Sequence, residues 1–275
     1  MLDLDGGDLF YSERLGKMER WYCRIFGVPI VGLRIRLRTV KRLLPEGATH
    51  ILDAGCGRGV ISRYLAKRYP NGQITAIDFD SDTQKDNQII ANRTGLNNIQ
   101  FKIADLTVLA DHEKYDLIVS VDNLEHVDDD RAVITQLYNA LLPNGKLVVH
   151  VPHFYRRWPL FKWQENFDVP GHFRPGYHLP QLTERLERAG FSLEDSGYSY
   201  GFLENFINNI SYWITGAREQ NKTLYALIFP MLNAMAFLGR NEQLNMGAGV
   251  WVIAKKSNQI NQMSMTVESS VEHHL

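Results

Sequence analysis

Residues 51–59 read Ile51-Leu52-Asp53-Ala54-Gly55-Cys56-Gly57-Arg58-Gly59, a short apolar run followed by a glycine-rich turn. The run is too short for a helix and too apolar for an exposed strand, so it reads as a strand buried on both faces. The glycines carry no Cβ and enter positive φ freely, which lets the backbone approach a ligand closely. Such a turn at the carboxyl end of a strand stands where open parallel sheets bind their ligands.

Working outward, the same rhythm repeats. Apolar runs at His50–Ala54, Gln73–Asp78, Ile99–Ile103, Asp116–Val121 and Lys146–Val151 alternate with helical patterns at Val60–Tyr69, Asp82–Arg93 and Asp130–Leu142. Pro143-Asn144-Gly145 stops the last helix and launches the next strand. A further helix, Leu179–Ala189, leads to a strand at Phe191–Ser196, and a final strand is expected at Gly249–Lys255. Strands joined by single helices imply a parallel sheet with right-handed crossovers. The fold class is therefore α/β, a Rossmann-like, doubly wound, seven-stranded and mostly parallel sheet with a helical cap.

Asp78 ends the second strand about twenty residues beyond the loop, where a carboxylate can accept hydrogen bonds from both ribose hydroxyls. A dinucleotide site wants Gly-x-Gly-x-x-Gly and feeds a pyrophosphate to the helix N-terminus. Here the third glycine comes one place early, and Val60 occupies the dinucleotide position. The spacing favours a nucleoside without phosphate. The rivals carried forward are an NAD-dependent oxidoreductase and a non-catalytic nucleoside-binding scaffold.

Taken in order, these segments resemble the class I S-adenosylmethionine-dependent methyltransferases over residues 48–196 and the last strand. Asp53, Gly55, Cys56 and Gly57 match the cofactor loop, Asp78 with Phe79 the ribose end, and Ala104-Asp105-Leu106 the adenine end. Tyr115–Val121 and Asn123-Leu124-Glu125-His126-Val127 match the fourth-strand motif, with Val121 at the cofactor. Leu141-Leu142-Pro143-Asn144-Gly145 matches the turn before strand five, with Asn144 where the family often has Gly. The resemblance implies S-adenosylmethionine as cofactor, methyl transfer as the reaction and an antiparallel last strand.

Methyl transfer to a hydroxyl needs a nucleophile held in line and a base for its proton. Histidine is the usual base near neutral pH, and His126, His153, His172 and His178 follow strands four and five. His126, His153 and His172 with Tyr177 are the catalytic candidates, and His150 reads as a buried strand residue. No resident metal is expected. However, Asp122, Glu125, His126 and His172 resemble the divalent-metal site of family members that methylate vicinal hydroxyls, with Asp122 where that pattern has Glu.

The flanks frame this core: an N-terminal cap over 1–47, the core over 48–196, a helical insert over 197–248, the last strand over 249–256 and a flexible tail over 257–275. Residues 20–45 hold seven basic side chains and no acid. Ile30, Leu33, Leu37, Val40 and Leu44 recur at helical spacing there, so the segment reads as one helix stopping at Pro45, with a solvated basic face or one that meets anionic lipid or a phosphate-bearing substrate. The insert is rich in aromatics and methionine, and it covers the core, a second subunit as in a homodimer, or an apolar substrate tunnel.

A net charge of -1 and the absence of an Asn-Pro-Pro-Tyr type of motif after strand four argue against a nucleic-acid substrate. Two cysteines, Cys23 and Cys56, make no disulfide framework, and no signal peptide is read, so a cytoplasmic protein is expected. The partner expected is a small-molecule acceptor, lipophilic or anionic, methylated at oxygen in preference to carbon or nitrogen, with peripheral membrane contact left open.

Overall fold

The computed structural model describes residues 6–158, 160–166, 171–216, 221–242 and 245–257. The elements run α1 (Lys17–Phe26), α2 (Val31–Leu43), β1 (His50–Ala54), α3 (Val60–Arg68), β2 (Gln73–Asp78), α4 (Ser81–Arg93), β3 (Ile99–Ile103) and β4 (Tyr115–Val121). They continue as α5 (Asp130–Ala140), β5 (Leu141–Pro152), β6 (Tyr155–Arg157), β7 (Trp163–Glu165), α6 (Leu179–Arg188), β8 (Phe191–Ser199), α7 (Phe202–Thr215), α8 (Lys222–Leu238) and β9 (Gly249–Lys256).

Seven strands form one sheet in the order β3-β2-β1-β4-β5-β9-β8. The pairs from β3 through β5 are parallel, whereas β9 runs antiparallel to both β5 and β8. The strand order reverses between β1 and β4, so their carboxyl ends open onto one crevice. Its edges are the glycine loop after β1 and the turn after β4.

Both faces of the sheet are covered. One core contains Leu52, Ile118, Leu147 and Val252 of the sheet with Leu137 of α5 and Leu182 of α6. The other contains Ile51, Ala76, Val119 and Val148 with Leu65 of α3 and Ile90 of α4. This two-sided burial is why the strands read as unbroken Ile and Val runs.

Three details depart from the sequence reading. First, β5 begins at Leu141, five residues before the expected strand, because Leu141 pairs with Tyr115 across an irregularity in the ladder. Asn144 sits within that stretch at φ 67°, a conformation that Asn tolerates better than most residues with a Cβ. Second, β6 and β7 form an antiparallel hairpin of their own.

Third, the basic segment is two helices, α1 and α2, and the second ends at Leu43. Pro29, without an N–H, lies in the break between them. Arg34 is only 1% exposed and donates to the carbonyls of Val28 (3.1 Å) and Phe26 (2.5 Å), closing the end of α1. Arg38 pairs with Glu204 at 3.0 Å, and Arg42 donates to the Arg240 carbonyl at 3.1 Å. Arg34 and Arg38 of the expected basic face of α2 are thus turned inward onto partners, whereas Arg42 stays exposed.

The insert packs on the N-terminal helices. Val31 and Ile35 of α2, Ile207 of α7, and Phe229, Leu232 and Ala236 of α8 make a third apolar cluster, closed by Tyr200. The two segments build one cap. Residues 258–275 of the expected tail lie outside the described residues.

Candidate functional site

The glycine loop is shaped by what lies on either side of it. Gly55 has φ 80°, and a Cβ there would overlap the Asn123 side chain. Gly57 has φ 47°, but a Cβ there would meet nothing within 4 Å. Gly55 therefore lets the loop after β1 close against the turn after β4, and Gly57 faces open space.

Backbone bonds fix the loop on β2. The amides of Gly55 and Cys56 donate to the Ile77 carbonyl at 2.9 and 3.0 Å. The Gly57 amide donates to Asp78 Oδ2 at 2.8 Å, and the Asp80 amide donates to Oδ1 at 3.2 Å. Beneath the loop, Gln84 and Asn87 of α4 donate to the Gly57 carbonyl at 3.3 and 2.7 Å. Arg63, fully buried, bonds the Arg58 carbonyl and Asn87 and is held by Asp8 at 3.1 Å. Sequence reading missed Gln84, Asn87, Arg63 and Asp8. No local motif marks them, because they meet the loop only through the packing of α3 and α4.

Asp53 is 1% exposed and accepts from Ser62 Oγ at 2.5 Å, so it braces the first turn of α3 from below. Burial lifts its carboxyl to about 7, with the Asp78 charge adding and the Ser62 bond opposing. Cys56 is buried, and its thiol donates to Gln84 Oε1 at 3.2 Å.

The adenine end is open and apolar. Phe79 and Ile103 stand 80% and 55% exposed at the ends of adjacent strands, and Asp78 and Ile103 are register partners. The Ala104 amide donates to the Asp78 carbonyl at 3.2 Å. Asp105 caps its own turn by accepting from the Thr107 amide and hydroxyl, which hold its carboxyl below the ordinary range. Leu106 is buried beneath this turn, and Val121 is buried at the end of β4. An oriented ribose-type acid, an open Gly57 face and two exposed apolar side chains fit a nucleoside.

The turn after β4 carries the second half of the site. Asp122, at φ 48°, places its carboxylate 2.7 Å from Arg36 of α2 and 2.8 Å from His150 Nδ1. His150 Nε2 in turn lies 2.8 Å from Ser199 Oγ. Burial alone would raise the Asp122 carboxyl, yet Arg36 and His150 together hold it below the ordinary range.

Glu125 is fully buried, and neither carboxylate oxygen has a hydrogen-bond partner among the described residues. Burial and the Asp122 charge push its carboxyl well above the ordinary range. His126 Nδ1 lies 3.0 Å from the Gly171 carbonyl, which leaves Nε2 for another partner. The rings of His126 and His172 meet edge-on with centroids 4.3 Å apart. One potential ligand atom from each of Glu125, His126 and His172 lies within 4.8 Å of the others. An oxygen and two imidazoles can take a proton or a divalent cation. Asp122, the fourth residue of the metal-like pattern, is instead engaged by Arg36 and His150.

The other candidates, His153 and Tyr177, are not members of this group of three. His153 is 3% exposed in an aromatic box formed by Tyr155, Trp163, His178 and Tyr198. Burial and His178 pull its imidazole down to about 4, so it is neutral at physiological pH. Tyr177 is fully buried, and its hydroxyl donates to Asp130 at 2.6 Å and accepts from Arg174 at 2.7 Å. These bonds make it an internal anchor between α5 and the segment that carries His172.

Residues 45–175 match the family model described as a methyltransferase domain. The match covers just under half of the chain, and over this stretch the chain has the class I methyltransferase fold. A trans-aconitate 2-methyltransferase of Streptomyces avermitilis is 31% identical over 146 residues, which is 52% of this chain and 50% of that protein. A ubiquinone biosynthesis O-methyltransferase of Coxiella burnetii is 30% identical over 114 residues, 41% of this chain and 47% of that one. The chain thus spans about half the length of these relatives. Among solved structures, the cyclase SpnF superposes with a TM-score of 0.58 at 20% identity, covering 90% of this chain and 86% of its own. The methyltransferase domain and a cyclase share the fold, so chemistry has to be argued from the site.

Proposed function

We propose that this protein transfers the methyl group of S-adenosylmethionine to an oxygen of a small acceptor. The observation that carries the reading is the pairing of the Gly57 amide with Asp78 Oδ2 at 2.8 Å, across a Gly57 face that nothing fills. It offers a ribose-binding carboxylate already oriented beside a backbone cleft, with Phe79 and Ile103 exposed to cover the base. The absence of a pyrophosphate-type third glycine supports a sulfonium nucleoside over a nicotinamide dinucleotide.

The acceptor end is Glu125, His126 and His172. Transfer breaks the sulfur–methyl bond, forms an oxygen–methyl bond and releases the hydroxyl proton. An imidazole with one nitrogen fixed on the Gly171 carbonyl and the other free to accept is arranged to take that proton. The same three donors could instead hold a divalent cation, which would make the acceptor hydroxyl more acidic by lowering its pKa. The trans-aconitate and ubiquinone-pathway relatives support a small organic acceptor.

The test is calorimetric titration with S-adenosylmethionine and S-adenosylhomocysteine, followed by an acceptor screen. Micromolar binding weakened at least tenfold by Asp78→Ala, with methyl transfer to a hydroxylated acceptor, is expected. No binding by the intact protein overturns the reading. Binding without turnover on any acceptor would favour the scaffold or a cyclase-like chemistry.

A further inference from the structure

Helix α8 presents an unbroken apolar stripe to solvent. Leu224, Leu227, Met231, Met235 and Leu238 are 37–75% exposed, and after Lys222 the helix contains no charged residue. At 100° per residue these five side chains fall within about 80° of one another, opposite Phe229, Leu232 and Ala236 of the inner face. Proteins that stay free in water seldom leave such a stripe uncovered.

A second apolar stripe lies on α1. There Met18, Trp21 and Ile25 are 87%, 51% and 57% exposed and share one face. Tyr22 joins the two helices: its hydroxyl donates to the Ala226 carbonyl at 2.6 Å, and its ring lies 6.5 Å from that of Phe229. Trp21 is positioned by Phe10, whose ring is 5.0 Å away, and Arg24 lies 4.7 Å over that Phe10 ring.

The border of the α1 stripe is cationic. A cleft of about 250 Å³ beside Trp21 is lined by Phe10, Tyr11, Lys17, Arg20 and Arg93, with no carboxylate in its wall. Arg93 is shared with Glu13, and Arg20 leans on the Ser12 carbonyl at 3.5 Å, so both guanidiniums are held at the cleft. Glu19, the acid of α1, falls on the opposite side of that helix from Trp21.

We infer that α1 and α8 together form a docking face for an anionic phospholipid surface: the two stripes enter the acyl boundary, and Lys17, Arg20 and Arg93 receive a headgroup phosphate. Apolar residues including tryptophan, bordered by Lys and Arg, are the pattern of helices that lie in the membrane interface. No helix among the described residues is long and apolar enough to cross a membrane, and the inner face of α8 is committed to the cap. In this inference α1 and α8 lie in the plane of the surface. The inference stands whether or not the methyl-transfer reading holds.

The test is cosedimentation of the full chain with vesicles of phosphatidylglycerol and phosphatidylcholine, or of phosphatidylcholine alone, with light scattering on the free protein. Tight binding to the anionic vesicles and at least tenfold weaker binding to the neutral ones are expected. Leu227→Glu with Met231→Glu should abolish binding to both. Lys17→Gln with Arg20→Gln should lower anionic binding about tenfold towards the neutral value. Leu227, Met231 and Lys17 are exposed and Arg20 is half-buried, and an unaltered thermal midpoint shows that the variants fold. Absence of binding to anionic vesicles overturns the inference, as does binding that survives both variants. It is also overturned by a dimer that dissociates in Leu227→Glu with Met231→Glu while the native protein ignores vesicles.

Discussion

Arg36 of the cap helix reaches the carboxylate of Asp122 at 2.7 Å, joining residues 86 positions apart in the chain. The pair ties α2 to the turn after β4, the turn that also carries Glu125 and His126. It is largely shielded, with side chains 25% and 16% exposed. Removing one partner leaves the other charge in a poorly solvated place.

Arg36→Met is expected to destabilise the protein by about 2–4 kcal/mol, less than a fully buried pair would lose. Arg36→Met with Asp122→Asn should recover part of that loss, because no charge is then stranded. The sign with pH follows from the Asp122 carboxyl being held low. Its contribution is present above the ordinary carboxylate range and disappears as pH falls through the depressed value. Urea midpoints of native and variant proteins should therefore converge in acid and separate at neutral pH.

The two loop glycines separate fold from ligand. Gly55→Ala meets both positive φ and the Asn123 side chain, so a loss of about 3 kcal/mol is expected. Gly57→Ala meets only the positive φ, an expected cost of about 1 kcal/mol. However, its methyl group would enter the open face, and S-adenosylmethionine affinity should fall by about tenfold or more. Thermal unfolding paired with calorimetric titration of each variant checks this. Equal effects of both changes on affinity per unit of stability would show that Gly57 does not face the cofactor.

Asp53 provides a pH signature in the opposite sense. Its carboxyl is raised to about 7, so the folded state binds a proton that the unfolded chain releases near the ordinary value. Its contribution to stability is complete in acid and is lost as pH rises towards 7, up to about 4 kcal/mol. Asn copies the protonated form and can still accept from Ser62. Asp53→Asn should match the native protein near pH 4 and exceed it at pH 8 in denaturant midpoint. A native advantage at pH 8 would show that the ionised carboxylate is needed beneath the loop.

The sheet was legible in the sequence because burial on both faces leaves a continuous Ile and Val run, as in Asp116–Val121. The glycine loop was legible because its backbone demands particular residues at fixed offsets. Arg36 and Asp122 carry no such mark, since a salt bridge between distant segments has no periodicity. The charges of α2 misled for a related reason: composition counts Arg34 and Arg38 but cannot show that Phe26 and Glu204 receive them. The β6–β7 hairpin escaped because three-residue strands are too short for alternation to show. Within the site, Asp122, Glu125, His126 and His172 were named from a resemblance to a metal site, but only the fold shows that the last three meet without His153 and Tyr177.

Glu125 is the group whose chemistry most needs a partner. A fully buried carboxyl without a hydrogen bond among the described residues, raised by burial and by Asp122, is costly to ionise unless a cation faces it. A divalent cation held by Glu125, His126 and His172 would reverse that, with Gly171 fixing the His126 ring as an outer partner. Mn²⁺ or Zn²⁺ at a hundred times its dissociation constant should then stabilise the protein by about 2.7 kcal/mol. The gain should be larger at pH 8 than at pH 5, because the ligands must lose their protons to bind metal. Glu125→Gln and His172→Ala should each remove the gain while leaving S-adenosylmethionine affinity intact, and EDTA should suppress turnover until Mg²⁺ or Mn²⁺ is restored. Thermal midpoints free of any metal effect, together with turnover indifferent to EDTA, would instead assign these residues to direct proton transfer, with His126 as the base.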